Sequence, residues 1–251
     1  EQELLLRLRN HWDVKEQIDS LYGQAIFKVS PRFDLAPGVR VEKTRSAGRG
    51  PTDRGDDHAK RLLTGNPLAN IPTNTAPYYL ARYGSDAVNS SDYHTWLKYL
   101  HATYRLTNDF IFRASFNDSI TRPNLDNLAG GVTINEDVTP HLATIPNPNL
   151  QPEHGRNMFF AAEYYFPKRA GFFTVSTARR DINNLIRTNV YTLDIDEDFP
   201  NQDGLDLRGF RVTTTDNIGK AHVGSLEFSY RQNMVFLPGI WQRLSLFANY
   251  T

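Results

Sequence analysis

The chain has 251 residues, and its 28 Lys and Arg balance its 28 Asp and Glu, so bulk charge predicts neither nucleic acid nor an anionic membrane surface as a partner. It contains no cysteine, which excludes disulfides and Cys-ligated zinc. Mean hydropathy is −0.52, and no apolar run approaches the ~18 residues that a membrane-spanning helix needs. Soluble proteins and membrane proteins that cross with strands are both compatible with these values, because a spanning strand needs only about 9–11 residues with alternate apolar side chains.

The N-terminal residues differ from the rest of the chain. Glu1 to Val14 is the only helix-like stretch, and it is either a short helix in an outer loop or a cut strand. The start lacks a basic segment and an apolar core, so we expect no signal peptide in this chain. Either a signal peptide was removed or the chain is an internal piece of a longer protein, and we expect residues 1–251 to belong to one domain.

Period-2 alternation begins at about Ile18 and continues to Val29, where Ser30-Pro31-Arg32 predicts a tight turn. In the next stretch apolar and polar residues alternate strictly. Its apolar face carries Phe33, Leu35, Val39 and Val41, and its polar face carries Asp34, Arg40, Glu42 and Thr44.

The same pattern recurs in six further stretches, at about residues 100–105, 110–119, 158–166, 173–177, 226–231 and 244–250. Short turns are predicted at 30–32, 106–109, 167–171 and 237–239, and long polar loops at about 45–92, 122–155 and 188–216. Connections therefore alternate between short and long through about eight strands.

This alternation of connections is typical of an outer-membrane barrel, whose turns are short on the periplasmic side and long outside. The alternation of side chains has a matching cause, because one face meets lipid and the other a wet lumen. We therefore expect an all-β fold: an antiparallel transmembrane β-barrel segment with long extracellular loops. A half-buried sheet of a soluble domain shows the same alternation, and the pattern alone leaves that alternative open.

Several motifs separate the two alternatives. They are Phe112 to Asn124 (FRASFNDSITRPN), Asn147 to Glu153 (NPNLQPE), Glu163 to Phe166 (EYYF), Gly38 to Glu42 (GVRVE), and Leu237-Pro238-Gly239 followed by Ala248 to Thr251 (ANYT). In order and spacing they resemble the barrel motifs of the TonB-dependent receptors over nearly the whole chain. One departure is Ala178-Arg179-Arg180, which stands where the family has an aromatic–Lys pair.

The resemblance implies the C-terminal part of a 22-stranded barrel in the bacterial outer membrane, surrounded by lipid and filled by a plug domain. Family members import a scarce ligand such as a siderophore, vitamin or carbohydrate, using energy from the inner-membrane TonB complex, and they are not enzymes. The sequence has no recognisable plug, coupling box or terminal aromatic, so residues 1–251 are expected to lack transport activity alone.

Five residues flank the second long loop and are candidate ligand contacts: Arg122, Asn124, Asn147, Asn149 and Glu153. A structural role is the alternative for all five, because proline ends strands and asparagine makes local turn hydrogen bonds.

A second set of charged residues is expected to face the lumen, where it lines a ligand path, contacts the plug or pairs across strands. These residues are Arg40, Glu42, Arg113, Glu163, Glu227, Arg231 and Arg243.

The acidic loop from Asp194 to Asp206 suggests calcium, but it departs from the EF-hand pattern, since Phe199 stands where the turn needs glycine and Leu205 where the bidentate glutamate belongs. Two alternatives depend on this loop: a soluble extracellular binding module for calcium or a glycan, and a hydrolase that uses its carboxylates. The histidines are scattered without an H-x-x-x-H pair, so we expect no catalytic metal. No G-x-G-x-x-G or P-loop motif occurs and the charges balance, so we also expect no cofactor and no nucleic-acid partner.

Overall fold

The computed structural model describes residues 1–192, 205 and 207–251, so the acidic loop, apart from Leu205, lies outside the described residues. A large antiparallel sheet dominates the fold. Its strands are β1 (Asp13–Gln24), β2 (Phe27–Ser30), β3 (Phe33–Pro51), β4 (Asp86–Arg105), β5 (Phe110–Thr121), β8 (Glu153–Tyr165), β9 (Gly171–Asn183), β12 (Lys220–Asn233) and β13 (Ser245–Tyr250). The spatial order is β1-β3-β4-β5-β8-β9-β12-β13, and the short β2 pairs with β3.

The connections confirm the predicted alternation. Short links join the strands at one end, at residues 31–32, 106–109, 166–170 and 234–244. Long segments join them at the other end, at residues 52–85, 122–152 and 184–219. Within the described residues, eight strands follow one another across this sheet, as the sequence pattern predicts. We call the end with the long connections the outer end.

The predicted first loop, 45–92, is too long. β3 continues to Pro51, where it pairs with Asp86 at the start of β4. Beyond Glu42 both faces of these strands carry polar residues, so the apolar alternation that marks a strand stops while the hydrogen-bonded ladder goes on. Cross-strand ion pairs hold this extension together: Lys43–Asp92 at 3.3 Å, Arg45–Asp19 at 2.5 Å and Arg49–Asp86 at 2.6 Å.

One face of the sheet is apolar and uncovered. Directly paired residues form rows across the strands, and one such row is Tyr104, Phe112, Ala162, Val175 and Phe228. Phe112 stacks on Phe160 of the neighbouring strand, with ring centroids 6.0 Å apart. Phe160 is nevertheless 45% exposed, because no second layer of described residues packs on this face. A continuous exposed apolar surface of this kind fits contact with lipid or another protein.

Most of the buried hydrophobic residues lie at the outer end instead. A four-stranded sheet in the order β10-β11-β7-β6 forms there from β6 (Thr133–Asn135), β7 (Leu142–Ile145), β10 (Ile186–Thr192) and β11 (Arg211–Asn217). Its core contains Val132, Ile134, Ala143, Ile145, Leu207 and Val212. The second and third long connections therefore fold together rather than separately.

Helices build a second small core at the outer end. Helices α2 (Asp56–Thr64) and α3 (Ala76–Tyr83) bury Ala59, Tyr78, Tyr79 and Tyr83, and Leu5 and Leu8 of α1 (Gln2–Arg9) pack against them. The helical alternative for the N-terminal stretch is thus correct for Gln2–Arg9. None of the described helices is both long and apolar enough to span a bilayer.

Glycines allow one outer segment to lie against the sheet. The short helix α4 (Asp126–Ala129) packs on β3 at Gly48 and Gly50, on the polar face. A Cβ at Gly50 would stand 1.8 Å from the carbonyl oxygen of Ala129, so any larger residue there forces the two backbones apart. The second long connection is therefore folded inward over the polar face.

We predict that Gly50→Ala destabilises the packing of α4 by about 1–3 kcal/mol, because the new methyl group overlaps a backbone carbonyl. Protease cleavage within residues 122–132 of the full-length protein should become faster. Gly23→Ala on β1 is the matched control, since a Cβ there meets nothing within 4 Å. Equal cleavage rates in the two variants would contradict the inward packing of α4.

Candidate functional site

The polar face of the sheet carries six of the seven charged residues that the sequence analysis expected to face the lumen. Strand register places Arg40, Glu42, Arg113, Glu163, Glu227 and Arg231 on this one face, opposite the apolar rows. Arg243 differs, because it lies in the 3₁₀ turn Gly239–Arg243 before β13, where strand alternation assigns no face. Its orientation toward a lumen stays a prediction.

Glu42 is the most buried charge on the polar face, with 5% of its surface exposed. It bonds to Arg40 Nε at 2.5 Å and also forms an ion pair with Arg122. Arg122 follows the last residue of β5, so its side chain reaches across β4 to β3. The Glu42 carboxylate thereby fixes the start of the second long connection to the polar face of the sheet.

A second group on the polar face lies nearer the short turns. Arg113 Nε donates to Glu163 Oε1 at 2.9 Å, and the Tyr165 hydroxyl donates to Glu163 Oε2 at 2.9 Å. Glu227 accepts a hydrogen bond from Ser229 at 3.0 Å. Pairing across and along the strands, one of the roles considered from the sequence, therefore accounts for these carboxylates.

An open cleft with a volume of about 370 Å³ lies at the outer end, between the second and third long connections and the polar face of β4. Amides, one carboxylate and two hydroxyl side chains supply its polar groups. They belong to Asn89, Asn147, Asn149, Tyr191, Thr214 and Asp216. The volume falls within the range of small-molecule pockets, and we refer to this site as the outer cleft.

The outer cleft contains two of the five predicted ligand contacts. Asn147 holds the cleft together, because its Nδ2 donates at 3.0 Å to both the Thr215 carbonyl and Asp216 Oδ1. Asn149 is exposed, and its side chain makes no hydrogen bond to any described residue. Asn149 is therefore the predicted contact that is best placed to meet a ligand.

The other three predicted contacts lie outside the outer cleft. Arg122 is paired with Glu42. Asn124 donates to Asp126 Oδ2 at 2.9 Å and so stabilises the turn into α4. Glu153 Oε1 accepts from the backbone N–H of Ile186 at 2.9 Å, which joins β8 to the start of β10. In this structure all three side chains bond to other parts of the chain.

No motif in the sequence marks Asn89, Tyr191 and Asp216 as site residues. Asn89 fell within a predicted loop, and it now lies on β4, where its Nδ2 donates to the Leu128 carbonyl at 3.0 Å. Tyr191 and Asp216 reach the cleft only because β11 pairs in parallel with β7. No local motif marks a contact of this kind.

Glu136 links the first and second long connections. Its carboxylate accepts hydrogen bonds from the backbone N–H groups of Asp56 and Asp57, at the N-terminus of α2. On the same helix the Asp56 carboxylate accepts from the Tyr78 hydroxyl at 2.5 Å and pairs with Lys60 at 2.5 Å. A carboxylate in this position satisfies donors that the helix itself leaves unpaired.

Burial raises the pKa of the Glu136 carboxyl above its ordinary value, and this outweighs the lowering effect of the two N–H bonds. The pKa of Asp56 shifts in the opposite direction, because its bonds to Lys60 and Tyr78 together outweigh the effect of burial. The ionised form of Glu136 is therefore disfavoured in the folded state, whereas that of Asp56 is favoured. Burial likewise raises the pKa of Tyr78, which stays protonated as a donor.

Among the described residues, no group of three or more His, Asp or Glu is arranged to hold a metal ion.

We predict that Glu42→Gln destabilises the folded protein by about 2–3 kcal/mol, because two arginines lose their shared buried carboxylate. Thermal unfolding of the full-length protein measures this effect. Glu227→Gln, which loses only the bond from Ser229, should cost less than about 1 kcal/mol. A Glu42→Gln variant as stable as Glu227→Gln would show that the bridge adds no stability.

We also predict a pH dependence at Glu136. The pKa of Glu136 is raised on folding, so its protonated form contributes stability. This contribution is fully present below the ordinary glutamate pKa of about 4.3, and it is lost as the pH rises through the pKa of Glu136 in the folded state. Hydrogen exchange of the α2 amides, corrected for intrinsic rates, should therefore report less protection at pH 7 than at about pH 4.5. Glu136→Gln should remove this difference, and an unchanged difference in that variant would contradict the assignment.

Comparisons with known proteins agree with this architecture. A family model described as "TonB dependent receptor-like, beta-barrel" matches residues 7–251. No curated protein matches the chain.

Three solved structures illustrate the fold. The hemophore receptor HasR of Serratia marcescens superposes with a TM-score of 0.56 at 14% identity, over 86% of this chain and 32% of that chain. The ferric-catecholate import receptor Fiu of E. coli K12 gives 0.51 at 17% identity, over 89% and 26%. The ferric yersiniabactin uptake receptor FyuA of Yersinia pestis gives 0.50 at 13% identity, over 91% and 26%.

The chain thus spans about a quarter to a third of the length of these receptors. At these identities the likeness concerns the fold, whereas the family model covers nearly all of the chain. An outer-membrane β-barrel is expected to have alternating short and long connections, one apolar face and one polar face, and this sheet has all three features. The chain belongs to the TonB-dependent receptor family and forms a segment of its antiparallel β-barrel.

Proposed function

We propose that this chain is part of an outer-membrane receptor that binds a scarce ligand at the cell surface and imports it into the periplasm. The observation that carries this proposal is the division of one continuous sheet into an uncovered apolar face and a charged, hydrogen-bonded face. Lipid is the environment that accepts the first face, and a wet lumen accepts the second. Membership of the receptor family supports the same assignment.

The long connections support binding at the outer end. They fold into two small cores and enclose the outer cleft, whereas the links at the opposite end are short. Rigid loops carried on a barrel are common positions for binding residues. Ligand would meet the outer cleft first and would then pass the polar face, which carries Arg40, Arg113 and Arg231.

The ligand class is proposed from chemistry and from the relatives together. The outer cleft offers amide and hydroxyl groups and the Asp216 carboxylate, which suit a polar ligand that both donates and accepts hydrogen bonds. The similar structures are described as receptors for a hemophore with heme, for ferric catecholates and for ferric yersiniabactin. Iron carriers are therefore the first ligands to test, followed by vitamins and carbohydrates.

Import would need partners beyond this chain. In the full-length protein we propose a plug domain within the lumen and energy coupling through the inner-membrane TonB complex. The chain would serve in transport and not as an enzyme.

The direct test uses the full-length protein in its native cells. We expect it in the outer-membrane fraction, with a mobility on gels that changes on heating, as folded barrels show. Deleting the gene should abolish uptake of one member of a panel of labelled ferric siderophores and heme, or of cobalamin and oligosaccharides if iron carriers are unaffected. Recovery of the full-length protein as a soluble monomer without detergent would instead favour a soluble binding module.

Variants of the outer cleft should separate binding from folding. We predict that Asn149→Ala weakens binding of the imported ligand about tenfold, which corresponds to about 1.4 kcal/mol, and leaves thermal stability unchanged. Asn147→Ala should lower stability as well, because Asn147 bonds to Thr215 and Asp216. Wild-type affinity in the Asn149→Ala protein would remove that residue from the site.

A further inference from the structure

His11 lies between α1 and β1, two residues beyond the last residue of α1. Both of its ring nitrogens make a hydrogen bond. Nδ1 is 3.0 Å from the carbonyl oxygen of Arg7, and Nε2 is 2.6 Å from Oδ1 of Asp86, the first residue of β4. The ring therefore joins the end of α1 to the outer end of the sheet.

Both atoms that His11 meets are hydrogen-bond acceptors. A carbonyl oxygen can only accept, and an ionised carboxylate likewise has no proton to give. The ionised form of Asp86 is favoured, because its Oδ2 accepts from Arg49 Nε at 2.6 Å and arginine is always charged. A neutral imidazole carries one N–H and makes only one of the two bonds, whereas an imidazolium makes both. The geometry is thus that of a protonated His11.

The surroundings of His11 also suit a positive charge. The Arg7 carbonyl belongs to the last turn of α1, where the helix dipole favours a cation. The Asp86 side chain is only 15% exposed, so its bond to His11 is partly shielded from water. The charged residues on the elements around His11 are Arg7 and Arg9 of α1, Asp13 of β1, Arg49 of β3 and Asp86 of β4.

Apart from His11, α1 packs mainly on α3. Leu5 and Leu8 contact the core that contains the α3 tyrosines, and Arg9 lies 5.4 Å from the ring centroid of Tyr83. His11 adds a direct link from this group of helices to the end of β4. Ala87 and Asn89, which follow Asp86 on that strand, line the outer cleft. The link therefore reaches the strand end that forms one wall of the cleft.

We propose that His11 is a pH-sensitive clamp at the outer end, which in its protonated form fastens α1 to β4 and on losing its proton gives up one of its two bonds. Imidazole is the side chain whose charge ordinarily changes between about pH 5 and 8, so the pH of the surrounding medium would operate the clamp. The clamp is closed on the acid side, because only the imidazolium makes both bonds. As the pH rises, α1 is held less firmly against the sheet.

Hydrogen exchange of the α1 amides in the full-length protein, corrected for intrinsic rates, tests the clamp. We expect wild-type protection to be about three- to tenfold greater at about pH 5.5 than at about pH 8, as for the loss of one charge-assisted bond at a partly exposed site. His222→Gln is the matched control, since His222 is exposed and makes no hydrogen bond or ion pair within the described residues. This control should keep the wild-type difference.

Two substitutions of His11 separate its charge from its packing. His11→Gln stays neutral and should show, at both pH values, the weaker protection of the wild type at high pH. His11→Lys stays charged and carries three donors, so it should keep the stronger protection at both pH values. Glu136→Gln, which acts on α2, should leave the α1 difference in place, so the two pH effects are separable.

Equal protection of α1 at the two pH values in the wild type would overturn the proposal. A pH difference that persists in His11→Gln would overturn it as well, because another group would then carry the titration. If His11→Gln and His11→Lys protect α1 equally, the charge of His11 has no part in the docking of α1, and the clamp is refuted.

Discussion

The cross-strand hydrogen-bond ladder is the interaction on which the rest of this structure depends. Hydrocarbon offers no partner to a backbone N–H or C=O group, so spanning strands must bond to one another. The ladder fixes register, and register decides which side chains share a face. A shift of β8 by one residue would move Phe160 to the polar face and Glu163 to the apolar one.

The chain reverses the usual distribution of apolar residues. Large hydrophobic side chains of the main sheet are exposed, whereas fully buried ones such as Val132 and Val212 lie in the long connections. Lipid would take the place of a core around the sheet. The connections extend into water and must bury their own apolar surface, which they do by pairing β7 with β11 and by packing α2 and α3 together.

Electrostatic contacts join these two parts. On the polar face, the bridge between Glu42 and Arg122 holds the start of the second long connection, and glycines at 48 and 50 let α4 approach β3. At the outer end, Glu136 caps α2 and ties the first connection to the second. The outer cleft therefore has walls contributed by connections that are far apart in sequence, and its shape depends on contacts outside it.

The sequence by itself determined the all-β class, the alternation of short and long connections and the face of nearly every strand, because a two-residue period and turn chemistry are local properties. It also placed Asn147 and Asn149 in an outer loop. Only the tertiary structure decided that β3 and β4 continue to Pro51 and Asp86, where both faces are polar and the apolar period disappears. The tertiary structure also decided the bridge from Arg122 to Glu42 and placed Asn149, Tyr191 and Asp216 around one cleft. Such arrangements of distant segments depend on strand pairing, which leaves no local pattern in the sequence.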